Sequence, residues 1–130
     1  MRFIPTKIHA ILDYVAGLAL FVIPMAWLEE GSPAVMVPMI AGAVILLQAL
    51  FTDFEISLAN IIPMPAHLMM DALLGIVVLA SPWLFGFYEV VWLPHVIIGL
   101  VAIGSAAMTH LHRGVPEITS MHGSGHKHAV

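Results

Sequence analysis

Two histidines and two aspartates are the residues of this sequence best suited to chemistry. His9 stands four residues before Asp13, and His67 stands four residues before Asp71, each pair within an apolar stretch. Residues four apart share one helix face and can contact each other. Ionisable side chains are costly in an apolar segment and often mark a functional site there. The two pairs therefore form the candidate site.

Both pairs belong to a longer pattern, H-x3-D-x3-G-x6-P, that occurs twice. The further matching positions are Gly17 with Gly75, Pro24 with Pro82, Gly42 with Gly99 and Thr52 with Thr109. A small residue lets a neighbouring helix approach closely, so we expect the four glycines at helix contacts. A proline is tolerated most easily near a helix end, so we expect both prolines in the last turns of their helices. The pattern predicts an internal duplication.

The composition predicts that the duplicated units lie in a membrane. The chain has 130 residues, of which 61% are hydrophobic and 9% charged, whereas soluble domains carry about 25% charged residues. Four apolar stretches, at roughly 8–28, 34–51, 67–87 and 90–110, each approach the ~20 residues that cross a bilayer as a helix. We therefore predict an all-α fold: a four-transmembrane-helix bundle of two tandem two-helix repeats. Two spans per unit make the repeats parallel.

A short interfacial helix is predicted between the two repeats. Thr52 and Glu55 have the spacing of a capping box, in which the threonine caps a helix start and the glutamate reaches back. The residues that follow place Phe54, Leu58, Ile61 and Ile62 on one apolar face, as in helices that lie at a membrane surface. The helix is predicted over 53–62. We accordingly assign residues 1–65 to the first repeat with this helix, 66–113 to the second repeat, and 114–130 to a flexible cytoplasmic tail that contains histidines.

A second set of titratable residues is related by the same spacing. Asp53 corresponds to His110 and Glu55 to His112. We predict that one of these histidines pairs with an acid of the candidate site or of the interfacial helix. Such a pair would close the cytoplasmic face.

The basic residues predict the orientation in the membrane. With four spans, both termini share one side, and every Lys and Arg falls on that side: Arg2, Lys7, Arg113 and Lys127. The opposite loops carry only acidic charges. The positive-inside rule then makes the termini cytoplasmic. We expect a multi-pass protein of a bacterial inner membrane, with the first segment retained rather than cleaved.

The second copy of the pattern ends in Ser81-Pro82-Trp83. Within the doubled frame this tripeptide resembles the SPW-repeat family of small bacterial membrane proteins, over most of residues 6–112. The resemblance implies an integral membrane protein of paired helices and brings no catalytic residues with it. The first copy departs from the motif, because Ile23-Pro24-Met25 stands at the corresponding place.

Several classes of function are excluded or disfavoured. The chain has no cysteine, which excludes thiol redox chemistry and thiolate metal sites. A formal net charge of −4 gives no support for nucleic-acid binding. No phosphate-binding loop, zinc-protease or serine-hydrolase motif is found. We therefore predict a protein that is not an enzyme.

Three roles remain open for His9, Asp13, His67 and Asp71. They can link the two repeats as a structural or accessory element, which is the favoured interpretation. They can hold a divalent metal, for which imidazole and carboxylate suit zinc, iron or manganese, or the histidines can hold a haem. They can also relay protons. No cofactor is predicted by a motif, and the expected partners are the lipid bilayer and a homo-oligomer or larger membrane complex.

Overall fold

The computed structural model describes residues 4–109, and within them the chain is helical. The helices are α1 (Thr6–Trp27), α2 (Pro33–Phe51), α3 (Met64–Leu84) and α4 (Leu93–Met108). The first three are long and apolar enough to cross a membrane. The all-α prediction is confirmed for this part of the chain. Many large apolar side chains of the helices are exposed on the surface of the protein.

The fourth helix is shorter than the apolar stretch predicted over 90–110. It has 16 residues, or about 24 Å at the usual rise per residue. It begins late because Val90 and Val91 form a turn, in which both amides donate to the Phe87 carbonyl. It ends at Met108 because Thr109 takes an extended backbone, with ψ 137°.

The helices pack mainly in two pairs, α1 on α2 and α3 on α4. Glycines lie at the closest point of each pair. A Cβ added to Gly42 would lie 2.5 Å from the carbonyl oxygen of Gly17, and one added to Gly99 would lie 2.6 Å from that of Gly75. These contacts need glycine because a side chain would meet backbone atoms, which cannot yield.

The interfacial helix predicted over 53–62 is wrong, because this segment forms an irregular loop. The capping-box partners are engaged elsewhere. The Thr52 hydroxyl donates to the Gln48 carbonyl, back in α2, and a Glu55 carboxylate oxygen accepts a hydrogen bond from Thr6 at 2.7 Å. The backbone of the loop instead folds onto the end of α2, where the amides of Leu58 and Ile61 donate to the carbonyls of residues 50 and 51.

Parallel backbone bridges fix the ends of α2 and α4. Thr52 pairs with Ile62 just before α3, and Thr109 pairs with Ile4 just before α1. Each of these threonines is therefore held beside the start of the next helix. His110, His112 and the predicted tail at 114–130 lie outside the described residues.

Candidate metal centre

The four ionisable residues of the doubled pattern meet inside the bundle. His9 and Asp13 come from the first turns of α1, and His67 and Asp71 from the first turns of α3. All four are buried, and both histidines are 0% exposed. One ligand atom from each residue lies within 4.8 Å of the other three. The two helix pairs thus meet at a compact centre of two imidazoles and two carboxylates, called the His/Asp centre below.

The shortest contact of each histidine crosses between helix pairs. His9 Nε2 lies 2.8 Å from Asp71 Oδ2 and 3.4 Å from Asp13 Oδ2. His67 Nε2 lies 2.9 Å from Asp13 Oδ2 and 3.0 Å from Asp71 Oδ2. The Nε2 atom of each imidazole therefore faces one oxygen of each carboxylate.

Two threonines indicate that Nδ1 of each histidine carries a proton. The Thr52 hydroxyl lies 2.8 Å from His67 Nδ1 and donates its proton to the Gln48 carbonyl at 2.5 Å. A hydroxyl has only one proton, so its oxygen must accept from His67 Nδ1–H. Thr109 has the same relationship with His9 Nδ1, at 2.8 Å, while donating to the Ser105 carbonyl. Both Nε2 atoms are therefore left to face the carboxylates.

With Nδ1 protonated, the His/Asp centre must also hold either protons or a metal ion between the Nε2 atoms and the carboxylates. In a neutral histidine with Nδ1 protonated, Nε2 carries a lone pair. A lone pair directed at a carboxylate oxygen 2.8–3.4 Å away is repelled unless a proton or a metal ion lies between the two atoms. A buried charge is strongly unfavourable unless it is paired. Two carboxylates and two neutral imidazoles carry charge −2, which either two protons on the Nε2 atoms or one divalent ion neutralises.

The four N–O separations of the centre are close to, and slightly shorter than, those between neighbouring ligands of a tetrahedral metal site. With bonds of about 2.0–2.2 Å to nitrogen and oxygen, neighbouring ligand atoms stand roughly 3.3–3.6 Å apart. The four measured N–O separations run from 2.8 to 3.4 Å. A small outward shift of the side chains would therefore admit a metal ion. A haem between His9 and His67 does not fit this arrangement, because both Nε2 atoms lie within 3.4 Å of the two aspartate carboxylates.

Apolar and amide side chains seal the centre at the end of the bundle where α1 and α3 begin. The ring of Phe54 lies edge-on to His67, with centroids 4.8 Å apart, and is 6% exposed. It packs with Ala10, Met64 and other buried residues into one apolar cluster. The side-chain amide of Gln48 donates to Asp71 Oδ1. This shell excludes water and strengthens electrostatic interactions within the centre.

The comparison with known families identifies the chain. The model of the SPW repeat domain matches residues 7–109. The chain belongs to the SPW repeat family. The resemblance carried by Ser81-Pro82-Trp83 is thus confirmed, and with the three apolar helices it supports a membrane protein of this family. No curated protein and no solved structure matches the chain.

The tripeptide typical of the SPW repeat lies away from the His/Asp centre, at the other end of α3. Ser81 is 0% exposed, and its hydroxyl donates to the Val78 carbonyl. Pro82 is inside the last turn of α3, as Pro24 is in α1. Trp83 is 53% exposed and lies beside Trp92, with ring centroids 6.3 Å apart. These contacts suit a helix end with an aromatic anchor at a membrane interface.

The two other acidic candidates, and one further buried histidine, lie outside the centre. Asp53 and Glu55 are in the loop after α2, where they line a cavity of about 500 Å³ with Thr6. His95 in α4 is 4% exposed, and neither ring nitrogen has a hydrogen-bond partner among the described residues. Its ring packs against Phe87, with centroids 5.1 Å apart.

Sequence reasoning missed the roles of three residues of this SPW repeat protein. Thr52 and Thr109 match by their spacing, but their hydrogen bonds to the histidines are not among the sequence predictions. The signal was available, because both are polar residues that recur at the repeat spacing in an apolar sequence. The sequence places Phe54 on the apolar face of the predicted interfacial helix. Its observed position over the histidines depends on the conformation of the loop, which no local pattern predicts.

Proposed function

We propose that this SPW repeat protein is a metal-binding membrane protein. In this proposal, one divalent ion bound at the His/Asp centre links the two helix pairs. The convergence of four buried ligand atoms, one from each of four residues, carries the proposal. The role is structural or accessory, in keeping with the favoured sequence interpretation. The metal ion is the means by which the pairs are linked.

The donor set indicates the class of metal. Two imidazoles and two carboxylates suit zinc, iron(II) or manganese(II), whereas copper(I) prefers sulfur ligands. Hydrogen bonds from metal-binding histidines to a second group fix the ring and raise its basicity. Thr52 and Thr109 are placed to do this. The amide of Gln48 supports the carboxylate of Asp71 in the same way.

The hydrogen bonds of three serines within residues 4–109 favour a binding role over a catalytic one. The hydroxyls of Ser57, Ser81 and Ser105 each donate to a backbone carbonyl three residues earlier. None of these three serines hydrogen-bonds a histidine or a carboxylate, so none has the base that activates a nucleophile.

We further propose that the chain consists of two tandem parallel repeats in a bacterial inner membrane, with cytoplasmic termini. Corresponding contacts support the duplication: the threonine–histidine bonds, the glycine contacts and the backbone bridges each occur twice, at corresponding positions. A 16-residue α4 would span by local thinning of the bilayer or with help from the interfacial residues before it.

Cysteine labelling tests this orientation, because the chain has no native cysteine. A membrane-impermeant maleimide added to spheroplasts of an expressing bacterium should label Glu30→Cys, which lies between α1 and α2. It should label Asn60→Cys, in the loop between α2 and α3, only after the membrane is opened. The reverse pattern, or equal labelling of both variants, would overturn the proposed orientation.

Elemental analysis of the purified protein tests the metal proposal. The wild-type protein, purified in detergent without added chelator, should hold about one transition-metal ion per bundle. His67→Ala and Asp13→Ala should each lose most of it. His95→Ala is the matched control, because His95 is also buried in a helix but lies outside the centre. It should keep the metal. A wild-type protein without metal, even after incubation with zinc, iron(II) and manganese(II), would overturn the proposal.

A further inference from the structure

The His/Asp centre is closed on one side and open on the other. The difference lies in the two places where the helix pairs meet, between α2 and α3 and between α1 and α4. Corresponding positions at these two junctions carry residues of different size. On the α2–α3 side they are Gln48 and Leu74, and on the α1–α4 side Ser105 and Ala16.

The larger residues close the α2–α3 side. Gln48 is 3% exposed, and its amide occupies the space beside Asp71 and donates to Oδ1 of that carboxylate. Leu74 packs against the apolar core cluster formed by Leu20, Ala41, Ile45 and Val78. A surface groove runs over this side, but its lining includes neither aspartate.

The smaller residues leave a cavity on the α1–α4 side. It has a volume of about 30 Å³, and Asp13, Asp71 and Ser105 all line it. Such a volume holds one water molecule. Ser105 does not fill it, because its hydroxyl turns back to the carbonyl of Ala102 at 3.1 Å.

The cavity lies near the outer surface of the helices. Leu12 and Val101 line it and are 36% and 50% exposed on the apolar exterior of the protein. Contacts between α1 and α4 are sparse compared with those within each helix pair. A small neutral molecule therefore has a short path from the membrane to the carboxylates.

We propose that a metal ion in the His/Asp centre keeps one exchangeable ligand position on the Ser105 side. This position takes a water molecule or another neutral molecule of about that size, which enters between α1 and α4. The inference rests on the proposed metal centre. Closed sites with four protein ligands are typical of structural metal ions, whereas an open position lets a metal bind a further ligand. The asymmetry would thus convert a structural link into a ligand-binding site.

Cobalt(II) loading tests this inference, because cobalt substitutes for zinc and iron and its visible spectrum reports coordination number. The wild-type protein should show the weak bands of a five-coordinate ion. Ser105→Gln introduces the residue of the closed side, and Ala16→Leu fills the cavity without adding a polar group. Each should retain cobalt, lose the fifth ligand and gain the stronger bands of a four-coordinate ion. Val44→Leu, which enlarges a residue in the groove of the closed side, should leave the spectrum unchanged.

The outcomes separate the two proposals. A four-coordinate spectrum for the wild type, or the same spectrum for the wild type and both cavity-filling variants, would overturn the open position and leave the metal centre standing. Failure of the wild type to take up cobalt would overturn the metal centre itself and the inference with it. X-ray absorption at the cobalt edge provides an independent count of the ligands.

Discussion

His9 Nε2 lies 2.8 Å from the carboxylate of Asp71, which is 62 residues away in the sequence. The aspartate one turn along its own helix is farther, at 3.4 Å. The closest partner of this histidine is therefore on the other helix pair. This cross-connection makes the four residues one centre rather than two separate pairs, and it is the basis of the proposed metal site.

Removing the threonine hydroxyls should weaken metal binding without removing a ligand. In Thr52→Val the Nδ1–H of His67 loses its acceptor, so the ring is no longer held in place. Loss of such a supporting hydrogen bond typically lowers metal affinity by about 10–100-fold. Competition with a chelator of known affinity measures the effect.

Thr52→Ser is the control, because serine keeps the hydroxyl and should retain nearly the wild-type affinity. Thr109→Val should behave like Thr52→Val through His9. Equal affinity of Thr52→Val and wild type would show that the threonine hydrogen bond does not support the site.

Metal removal should destabilise the fold. A ligand that binds only the folded state, present at 100 times its dissociation constant, stabilises that state by about 2.7 kcal/mol. Dialysis against a chelator should therefore lower the thermal unfolding temperature of the wild-type protein in detergent, and added metal should restore it. The unfolding temperature of His67→Ala should not respond to either treatment. A chelator effect of the same size in that variant would place the metal elsewhere.

The glycine contacts predict a size limit within each helix pair. Gly99→Ala would place a Cβ 2.6 Å from the Gly75 carbonyl oxygen and 2.6 Å from Leu79 Cβ. Overpacking of this kind costs roughly 1–3 kcal/mol, so the unfolding temperature should fall. Gly104→Ala, on the same helix, meets no atom within 4 Å and should be neutral or slightly stabilising. Equal effects of the two substitutions would contradict the close packing of α3 on α4.

Phe54 and Leu58 distinguish the observed loop from the predicted interfacial helix. The helix would place both side chains on one apolar face. In the loop, Phe54 is 6% exposed and covers the histidines, whereas Leu58 is 76% exposed. Phe54→Ala should therefore destabilise the protein by about 3–5 kcal/mol, and Leu58→Ala should change stability little. Unfolding measurements in detergent that give similar losses for both variants would favour the helix.

The sequence predicted the features that follow from local pattern. Hydropathy located the helices, and the four-residue spacing placed each histidine and aspartate on one helix face. The sequence pattern could not show which imidazole contacts which carboxylate, because α1 and α3 come together only through tertiary packing. The helix predicted over 53–62 was wrong for a related reason. A capping box is a local signal, whereas the Thr52 hydroxyl hydrogen-bonds His67, 15 residues later.

A crystal structure of the purified protein, with data collected at the absorption edge of its metal, tests the central claim most directly. The account predicts a single anomalous peak among His9 Nε2, His67 Nε2, Asp13 Oδ2 and Asp71 Oδ2, within about 2.0–2.2 Å of each atom. An absence of anomalous density there, with the imidazoles hydrogen-bonded directly to the carboxylates in protein incubated with metal, would contradict it.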